Sequence, residues 1–374
     1  MKSRRLLALL ALPAAALAAA AELPVQFREP FAKSWPIREH QHLQTKAYLD
    51  SLKPRATDSA EHRFTLSFES TAAYERSIAR VREQLVKLKG WPPEKTVSAP
   101  RPRLERVGQD QHADIYRVWT EVFQGVEAYA LYMVPRGLAG KAPVLIAIHG
   151  GSGCPEAVCD LDTRVNYRSF GPEAVKRGYI VYAPGILMNV SYAEPKDPRP
   201  PGADYQQLAK QATSLGLSTW DLQVFQIIEG LKALIAIRPE IDGERIGATG
   251  LSMGGGYTLG LAALWPKIKA AAPSASFRGE GEKAGSLADL GELVLKGDAS
   301  RSALVPLICP RPLLIQAGEQ DTVAPLEAAK QGVPRVRAYY ERLGVADRFE
   351  FNVHAGGHVY ENAAIFRFFD QYLK

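Results

Sequence analysis

The sequence predicts an α/β fold in which a mostly parallel central sheet of about eight strands carries helices on both faces. Two observations lead to this prediction. Continuous apolar runs of strand length recur along the second two-thirds of the chain, and segments of helical length separate them. Runs that are apolar throughout are typical of strands buried on both faces. Strands that alternate with helices indicate parallel pairing, because each helix supplies a crossover connection.

The strand-like pattern begins near residue 111. Two segments, 113–123 and 127–135, alternate in polarity as neighbouring strands do. Six apolar runs follow, at 142–151, 178–184, 245–250, 268–276, 311–318 and 348–357. The longest helix-like segment between them, 218–237, begins with Ser218 or Thr219 as a plausible cap.

The chain begins with a targeting pattern. Residues 1–21 have a basic start, a short apolar run and a small-residue exit at Ala19-Ala20-Ala21. This pattern predicts a signal peptide that is cleaved before Glu22. An uncleaved membrane anchor is the alternative, but the apolar run is short for spanning a bilayer. The protein is therefore expected to be exported, to a bacterial periplasm or out of the cell.

Two further parts follow the signal peptide. Residues 22–110 predict an N-terminal helical extension, in which an amphipathic helix at 71–90 places four apolar side chains on one side: Ile78, Val81, Leu85 and Leu88. Residues 111–374 form the predicted α/β catalytic domain. The irregular stretches 185–217 and 277–306 leave the sheet at the carboxyl ends of strands, where such sheets bind ligands. We interpret both as cap or rim insertions.

Composition and charge exclude several classes of protein. A chain with 46% hydrophobic and 23% charged residues is neither disordered nor a multi-pass membrane protein. The formal net charge of +6 falls to +3 without residues 1–21, because they contain three cations and no acids. Such a mild charge does not indicate nucleic acid or, once the signal peptide is removed, a membrane surface as a partner.

Three cysteines, Cys154, Cys159 and Cys309, occur in the chain. An exported protein can form disulfides, so Cys154 could pair with Cys159 or with Cys309, and one thiol would be left over. None of the three lies in a recognisable nucleophile setting. Metal-binding spacing is also absent, so no metal is predicted.

The segment "GLSMG", residues 250–254, has the pattern G-x-S-x-G between a predicted strand and a predicted helix. In that context the pattern predicts a nucleophile elbow, with Ser252 on a strained turn. Side chains at positions 250 and 254 would collide across such a turn, which explains both glycines. The alternative is a glycine-rich helix start in which the serine is only a cap.

A serine nucleophile needs a histidine base and a carboxylate that orients it. The chain order expected in this kind of fold is serine, acid, histidine. Of seven histidines, only His354 and His358 come late enough. His358 follows two glycines and is the preferred base, whereas His354 is predicted to be a packed or rim residue. Asp321 is the preferred acid, and Glu319 is its alternative.

The oxyanion formed during acyl transfer needs two backbone donors. The N–H of Met253, directly after the nucleophile, is predicted to be one. The other is predicted to be Gly151 in the segment "HGGSG", residues 149–153, where Gly150 allows a close approach. His149 is predicted to brace this loop by hydrogen bonding and not to carry a proton.

These motifs resemble the α/β-hydrolase superfamily over residues 111–374, where "HGGSG", "GLSMGG", "GEQDTVAP" and "HAGGHVY" occur in its order. Residues 218–273 look more narrowly like secreted bacterial esterases of the acetyl xylan esterase and dienelactone hydrolase-like groups. In those proteins a Trp-Asp helix leads through "RPEID" and "RIG" into the elbow. The resemblance implies Ser252, Asp321 and His358 as a catalytic triad.

At two positions this sequence differs from related groups of the superfamily, and both differences narrow the expected function. Dienelactone hydrolases carry a cysteine where this chain has Ser252, and glucuronoyl esterases carry an arginine where it has Met253. The expected function is therefore an exported serine hydrolase of carboxylic esters, with acetyl or other acyl esters on carbohydrate as its substrates. No cofactor is expected, because the triad alone supplies the activation.

Two alternatives remain at this point. One is a serine peptidase of the prolyl oligopeptidase type, which would use the same triad, although residues 22–110 are few for the propeller of such enzymes. The other is a non-catalytic binding protein on a hydrolase scaffold.

Overall fold

The computed structural model describes residues 27–55, 66–162, 165–187, 203–279 and 304–374. The predicted signal peptide, residues 1–21, lies outside the described residues. So do residues 188–202 of the first predicted rim insertion and residues 280–303 of the second.

A nine-stranded sheet forms the centre of the molecule, in the order β1-β2-β3-β5-β4-β6-β7-β8-β9. The strands are β1 Pro102–Gln109, β2 Ala113–Phe123, β3 Val126–Pro135, β4 Ala142–Ile148, β5 Ile180–Pro184, β6 Ile241–Leu251, β7 Ile268–Ser274, β8 Leu313–Gly318 and β9 Phe349–His354. β1, β2, β3 and β5 pair antiparallel in that order, and all pairings from β5 to β9 are parallel. The prediction of a mostly parallel sheet is confirmed.

The sheet begins earlier in the chain than the sequence predicts. Strand β1 lies within residues 22–110, which were expected to form a helical extension only. β1 is one of the two edge strands of the sheet, opposite β9, and Gly108 is its one buried residue. An exposed edge strand needs few apolar side chains, so its sequence carries no buried-strand signal.

Ten α-helices and two short 3-10 helices lie within the described ranges, and the α-helices cover both faces of the sheet. They are α1 Phe31–Asp50, α2 Thr71–Leu88, α3 Pro155–Val158, α4 Phe170–Lys176, α5 Ala203–Ser214, α6 Thr219–Ile237, α7 Met253–Leu264, α8 Val305–Ile308, α9 Leu326–Arg342 and α10 Asn362–Leu373. Successive strand residues belong to different buried clusters. Ile146 belongs to a cluster that includes residues of α2, α6, α7 and α9, whereas Leu145 belongs to a cluster that includes residues of α3, α4 and α10.

The two long predicted helices form, one with the expected N-cap and the other with the expected buried face. The Ser218 hydroxyl accepts a hydrogen bond from the Asp221 N–H, so Ser218 is the N-cap of α6. In α2, Ile78, Val81 and Leu85 are buried as the amphipathic pattern predicts. Residues 27–110 therefore contain, where they are described, two long helices and the edge strand, which is too little structure for a propeller.

Two arginines hold the carboxyl end of α7, the helix that follows Ser252. The last carbonyls of a helix lack partners within it. Arg82 of α2 donates to the Ala263 carbonyl at 2.6 Å. Arg311 donates to the carbonyls of Ala262, Ile268 and Leu307. Burial lowers the pKa of Arg311 to about 10, with a smaller contribution from the Arg82 charge.

Replacement of Arg311 by methionine should lower the free energy of unfolding by about 3 kcal/mol, because buried carbonyls lose charged donors. Chemical denaturation followed by circular dichroism measures the change. Arg80→Met on the exposed side of α2 is the matched control and should change stability by about 0.5 kcal/mol or less. Equal stability of the two variants would show that the Arg311 contacts are dispensable.

Candidate active site

Ser252 alone makes the turn between β6 and α7. Its backbone angles are φ 57° and ψ −120°, a strained conformation for a residue other than glycine. The Ser252 N–H donates to the Ser274 carbonyl at 2.9 Å, and the Ser252 carbonyl accepts from the Gly255 N–H at 2.9 Å. The serine side chain makes no capping hydrogen bond. This geometry agrees with the strained strand-turn-helix that the sequence predicts around Ser252, and it differs from a serine that only caps a helix.

The glycines on either side of Ser252 are required by sterics. A Cβ added at Gly250 would overlap the Gly254 carbonyl group across the turn. A Cβ added at Gly254 would overlap the Ile148 carbonyl oxygen at the end of β4. Gly250 is thus needed by the turn itself, and Gly254 by the packing of the turn on the neighbouring strand.

Asp321 and His358 are hydrogen-bonded to each other. Asp321 Oδ2 lies 2.8 Å from His358 Nδ1. A carboxylate accepts only, so Nδ1 carries the proton and the second ring nitrogen, Nε2, can act as a base. Asp321 Oδ1 accepts from the N–H groups of Val323 and Ala324 at 2.9 and 2.8 Å, which fixes the carboxylate. Asp321 is only 5% exposed.

The alternative acid and base occupy other positions. Glu319 is exposed, and its carboxylate accepts no hydrogen bond within the described ranges. His354 is the last residue of β9, and its Nδ1 accepts the Gly356 N–H at 3.1 Å. The structure therefore brings together Asp321 and His358, the pair that the sequence analysis preferred.

Ser252, Asp321 and His358 lie on the side of the sheet where the parallel strands have their carboxyl ends. Each follows the carboxyl end of a strand, and the register aligns those ends through the pairs Leu251–Ser274, Ser274–Gln316 and Gly318–His354. Within the described part of the chain, no hydrogen bond joins Ser252 Oγ to His358. The acid and the histidine are thus in contact, and the serine stands at the same edge without a hydrogen bond to them.

The loop after β4 approaches the elbow as predicted. A Cβ at Gly150 would lie 3.4 Å from Ser252 Cβ. The Gly150 N–H donates to the Tyr167 hydroxyl at 2.9 Å, so this N–H is occupied. The N–H groups of Gly151 and Met253 donate to no other group among the described residues. They are the two donors that the sequence analysis selected for an oxyanion.

His149 joins the loops that follow β4 and β5. Its Nδ1 lies 2.8 Å from the Gly150 carbonyl oxygen, and its Nε2 accepts the Ile186 N–H at 3.1 Å. Nδ1 must therefore carry the ring proton. Burial lowers the pKa of His149 to about 4. A neutral ring that is hydrogen-bonded through both nitrogens acts as a brace, as the sequence analysis expected.

Tyr167 is a residue of this region that the sequence analysis missed. Its buried hydroxyl accepts the Gly150 N–H, and its ring packs edge-on against Tyr360, two residues after His358, at 6.1 Å. It thus connects the loop after β4 with the loop after β9. A single tyrosine in a three-residue 3-10 helix, Val165–Tyr167, offers no sequence signal for such a contact.

A buried ion pair behind the loop after β4 was also missed. Glu156 of α3 is fully buried and accepts a hydrogen bond from the Tyr129 hydroxyl at 2.7 Å. Its other carboxylate oxygen lies 3.6 Å from Arg38 of α1. The N-terminal extension therefore supplies a positive charge close to the candidate site. Because Arg38 and Glu156 are far apart in the chain, no local pattern could reveal the pair.

The cysteines take no part in this site. All three are buried free thiols, so neither pairing considered from the sequence is present. Burial raises the pKa of each thiol, which keeps them protonated and unreactive.

The search for other kinds of site covers the described ranges only. In them, no group of three or more His, Cys, Asp or Glu side chains could hold a metal ion. Nor does any of their helices combine the length and the apolar character needed to cross a membrane.

Comparisons with known proteins relate this chain to esterases. Residues 94–292 match the model of the acetyl xylan esterase (AXE1) family. A protein of Bacillus subtilis (strain 168) with the name "Putative hydrolase YtaP" is 26% identical over 299 residues, which are 77% of this chain and 95% of that protein.

Two solved structures share the fold at low sequence identity. A putative acetyl xylan esterase from Bacteroides fragilis NCTC 9343 superposes with a TM-score of 0.60 at 16% identity, over 82% of this chain and 80% of its own. A CE15 glucuronoyl esterase from Teredinibacter turnerae T7901 superposes with a TM-score of 0.55 at 14% identity, over 89% of this chain and 99% of its own.

Acidification from pH 7 to pH 4 should destabilise the protein by about 3 kcal/mol through His149 alone. The pKa of His149 is about 4 in the folded protein, against an ordinary value of 6.5. Between these values the unfolded chain binds a proton that the folded protein excludes, so stability falls as the pH falls through this window.

The variant His149→Gln keeps an amide donor and acceptor but cannot titrate. Denaturant unfolding at both pH values should show a smaller loss of stability for this variant, by about 3 kcal/mol. If wild type and variant lose the same stability on acidification, His149 does not carry this pH dependence.

Proposed function

This chain belongs to the acetyl xylan esterase family and is a carboxylic-ester hydrolase, and we propose that Ser252, His358 and Asp321 form its catalytic triad. One observation carries the proposal. The hydrogen bond between Asp321 and His358 lies at the sheet edge where Ser252 makes its strained turn. Nucleophile, base and orienting acid thus come from three strand ends that the parallel register aligns.

The proposed reaction starts with a proton transfer. His358 Nε2 accepts the proton of Ser252 Oγ while Oγ attacks the carbonyl carbon of the ester. Asp321 stabilises the resulting imidazolium, and its own orientation is fixed by the Val323 and Ala324 N–H groups. Catalytic hydrogen bonds often tighten only when substrate binds, so the Ser252–His358 hydrogen bond is expected in the complex.

The negative charge that develops on the carbonyl oxygen needs donors that are already in place. The free N–H groups of Met253 and Gly151 fit this role, and the N-terminal end of α7 adds a favourable dipole. His358 then protonates the leaving alcohol, which leaves an acyl group on Ser252. Water attacks this acyl-enzyme by the same route and releases the acid.

We assign the substrate to acyl esters on carbohydrate, with acetyl esters first. The family description, acetyl xylan esterase, supports this class. Met253 stands where glucuronoyl esterases carry an arginine, which argues against glucuronoyl esters. The signal-peptide pattern of residues 1–21 supports export, which would bring the enzyme to extracellular polysaccharide.

Ser252→Ala should abolish labelling by a fluorophosphonate probe and lower kcat/KM for p-nitrophenyl acetate by a factor of about 10⁴ or more, because the nucleophile is lost. Asp321→Asn should lower kcat/KM by roughly 10³ to 10⁴, because it favours the wrong tautomer of His358. Ser98→Ala is the matched control, because Ser98 is exposed and lies far from Ser252 in the chain. This variant should label and react like wild type.

Two results would contradict the proposal. Labelling of Ser252→Ala at the wild-type level would show that another residue is the nucleophile. Hydrolysis of aminoacyl-proline amides in place of p-nitrophenyl acetate would identify a peptidase instead of an esterase.

A further inference from the structure

A side chain closes the loop that carries His358. This histidine loop, residues 354–358, begins at the end of β9, and His354 Nδ1 accepts the Gly356 N–H at 3.1 Å. Nδ1 can accept only when it carries no proton, so the neutral His354 ring holds its proton on Nε2. His354 is therefore the opposite tautomer to His358, whose Nδ1 donates to Asp321.

Backbone hydrogen bonds attach the same loop to the acid loop after β8. The Glu319 N–H donates to the His354 carbonyl at 2.8 Å, and the Gln320 N–H donates to the Gly356 carbonyl at 3.1 Å. A Cβ at Gly318 would overlap the carbonyl oxygens of the histidine loop, so the two loops are in direct contact. Gly356 is fixed on both sides of its α-carbon, by Gln320 at its carbonyl and by His354 at its N–H.

We propose that His354 is a positioning residue, which holds the histidine loop, and with it His358, in catalytic geometry only while the His354 ring is neutral. This inference rests on the proposed function, because it takes His358 as the base. A proton on His354 Nδ1 would face the Gly356 N–H with a second donor. The loop would then lose one attachment, and His358 Nε2 would be aimed less accurately at Ser252.

Charged groups from three other elements face His354. They are Glu319 and Asp321 after β8, Glu361 at the start of α10, and Arg168 in the segment before α4. Burial lowers the pKa of His354, and Arg168 acts in the same direction, while the three carboxylates raise it. Burial is the largest effect, so the pKa lies below the ordinary 6.5 and the ring is neutral at pH 7.

Two substitutions distinguish the effect of the hydrogen-bond acceptor on His354 from the effect of its side-chain volume. In His354→Asn the amide oxygen can occupy the position of Nδ1 and does not titrate. His354→Leu fills the site but offers no acceptor. At pH 8, kcat for p-nitrophenyl acetate should fall about tenfold in His354→Leu and stay within about twofold of wild type in His354→Asn. KM should change by about twofold or less in both, because the lost contact acts on the base.

The pH profile supplies a readout that a purely structural role would not move. Between pH 8 and pH 4, kcat/KM of His354→Asn should fall by about one decade per pH unit along the acidic part of the profile, as expected for one essential proton. Over part of this pH range, kcat/KM of the wild type should fall more steeply than that of His354→Asn. At the acidic end it should be about tenfold lower than that of the variant.

Three outcomes would overturn the inference: His354→Leu as active as wild type, His354→Asn as weak as His354→Leu, or superimposable pH profiles of wild type and His354→Asn. Failure of the triad itself looks different, since His358→Ala would then keep its activity and Ser252→Ala its fluorophosphonate label. Thermal midpoints check folding, and the two pH profiles decide the matter if His354→Leu fails to fold.

Discussion

The close contact between the first turn of α7 and the end of β4 is the constraint on which the candidate site depends. No side chain fits at Gly254, because the Ile148 carbonyl lies against its α-carbon. The contact brings the loop after β4 to the elbow, where Gly150 lies beside Ser252. One packing interaction thus joins the strained serine and the Met253 N–H that follows it to the loop that carries the Gly151 N–H.

The N-terminal extension is part of this arrangement. Arg82 of α2 holds the carboxyl end of α7, the helix whose other end begins after the serine. Arg38 of α1 pairs with the buried Glu156, directly behind the loop after β4. Buried charges are tolerated only when they are paired or hydrogen-bonded. The extension and the sheet therefore depend on each other, and the candidate site is supported from the segment that precedes the sheet in the chain.

Most of the fold could be predicted from the pattern of apolar residues. The predicted strands and long helices are present, and the resemblance to acetyl xylan esterases is confirmed by the family match. Strand β1 was not predicted, because an edge strand buries few apolar side chains and so gives little sequence signal. The free thiols contradict both disulfide pairings because a cysteine spacing does not specify whether the thiols come together.

The sequence by itself determined the tight turn at Ser252, because steric rules for such a turn act over a few adjacent residues. Only the tertiary structure decided that Asp321, and not Glu319, contacts His358, and that His354 turns back to its own loop. These choices depend on distances between strand ends that lie far apart in the chain. Side-chain spacing in a sequence cannot give such distances, whereas the register of a parallel sheet does.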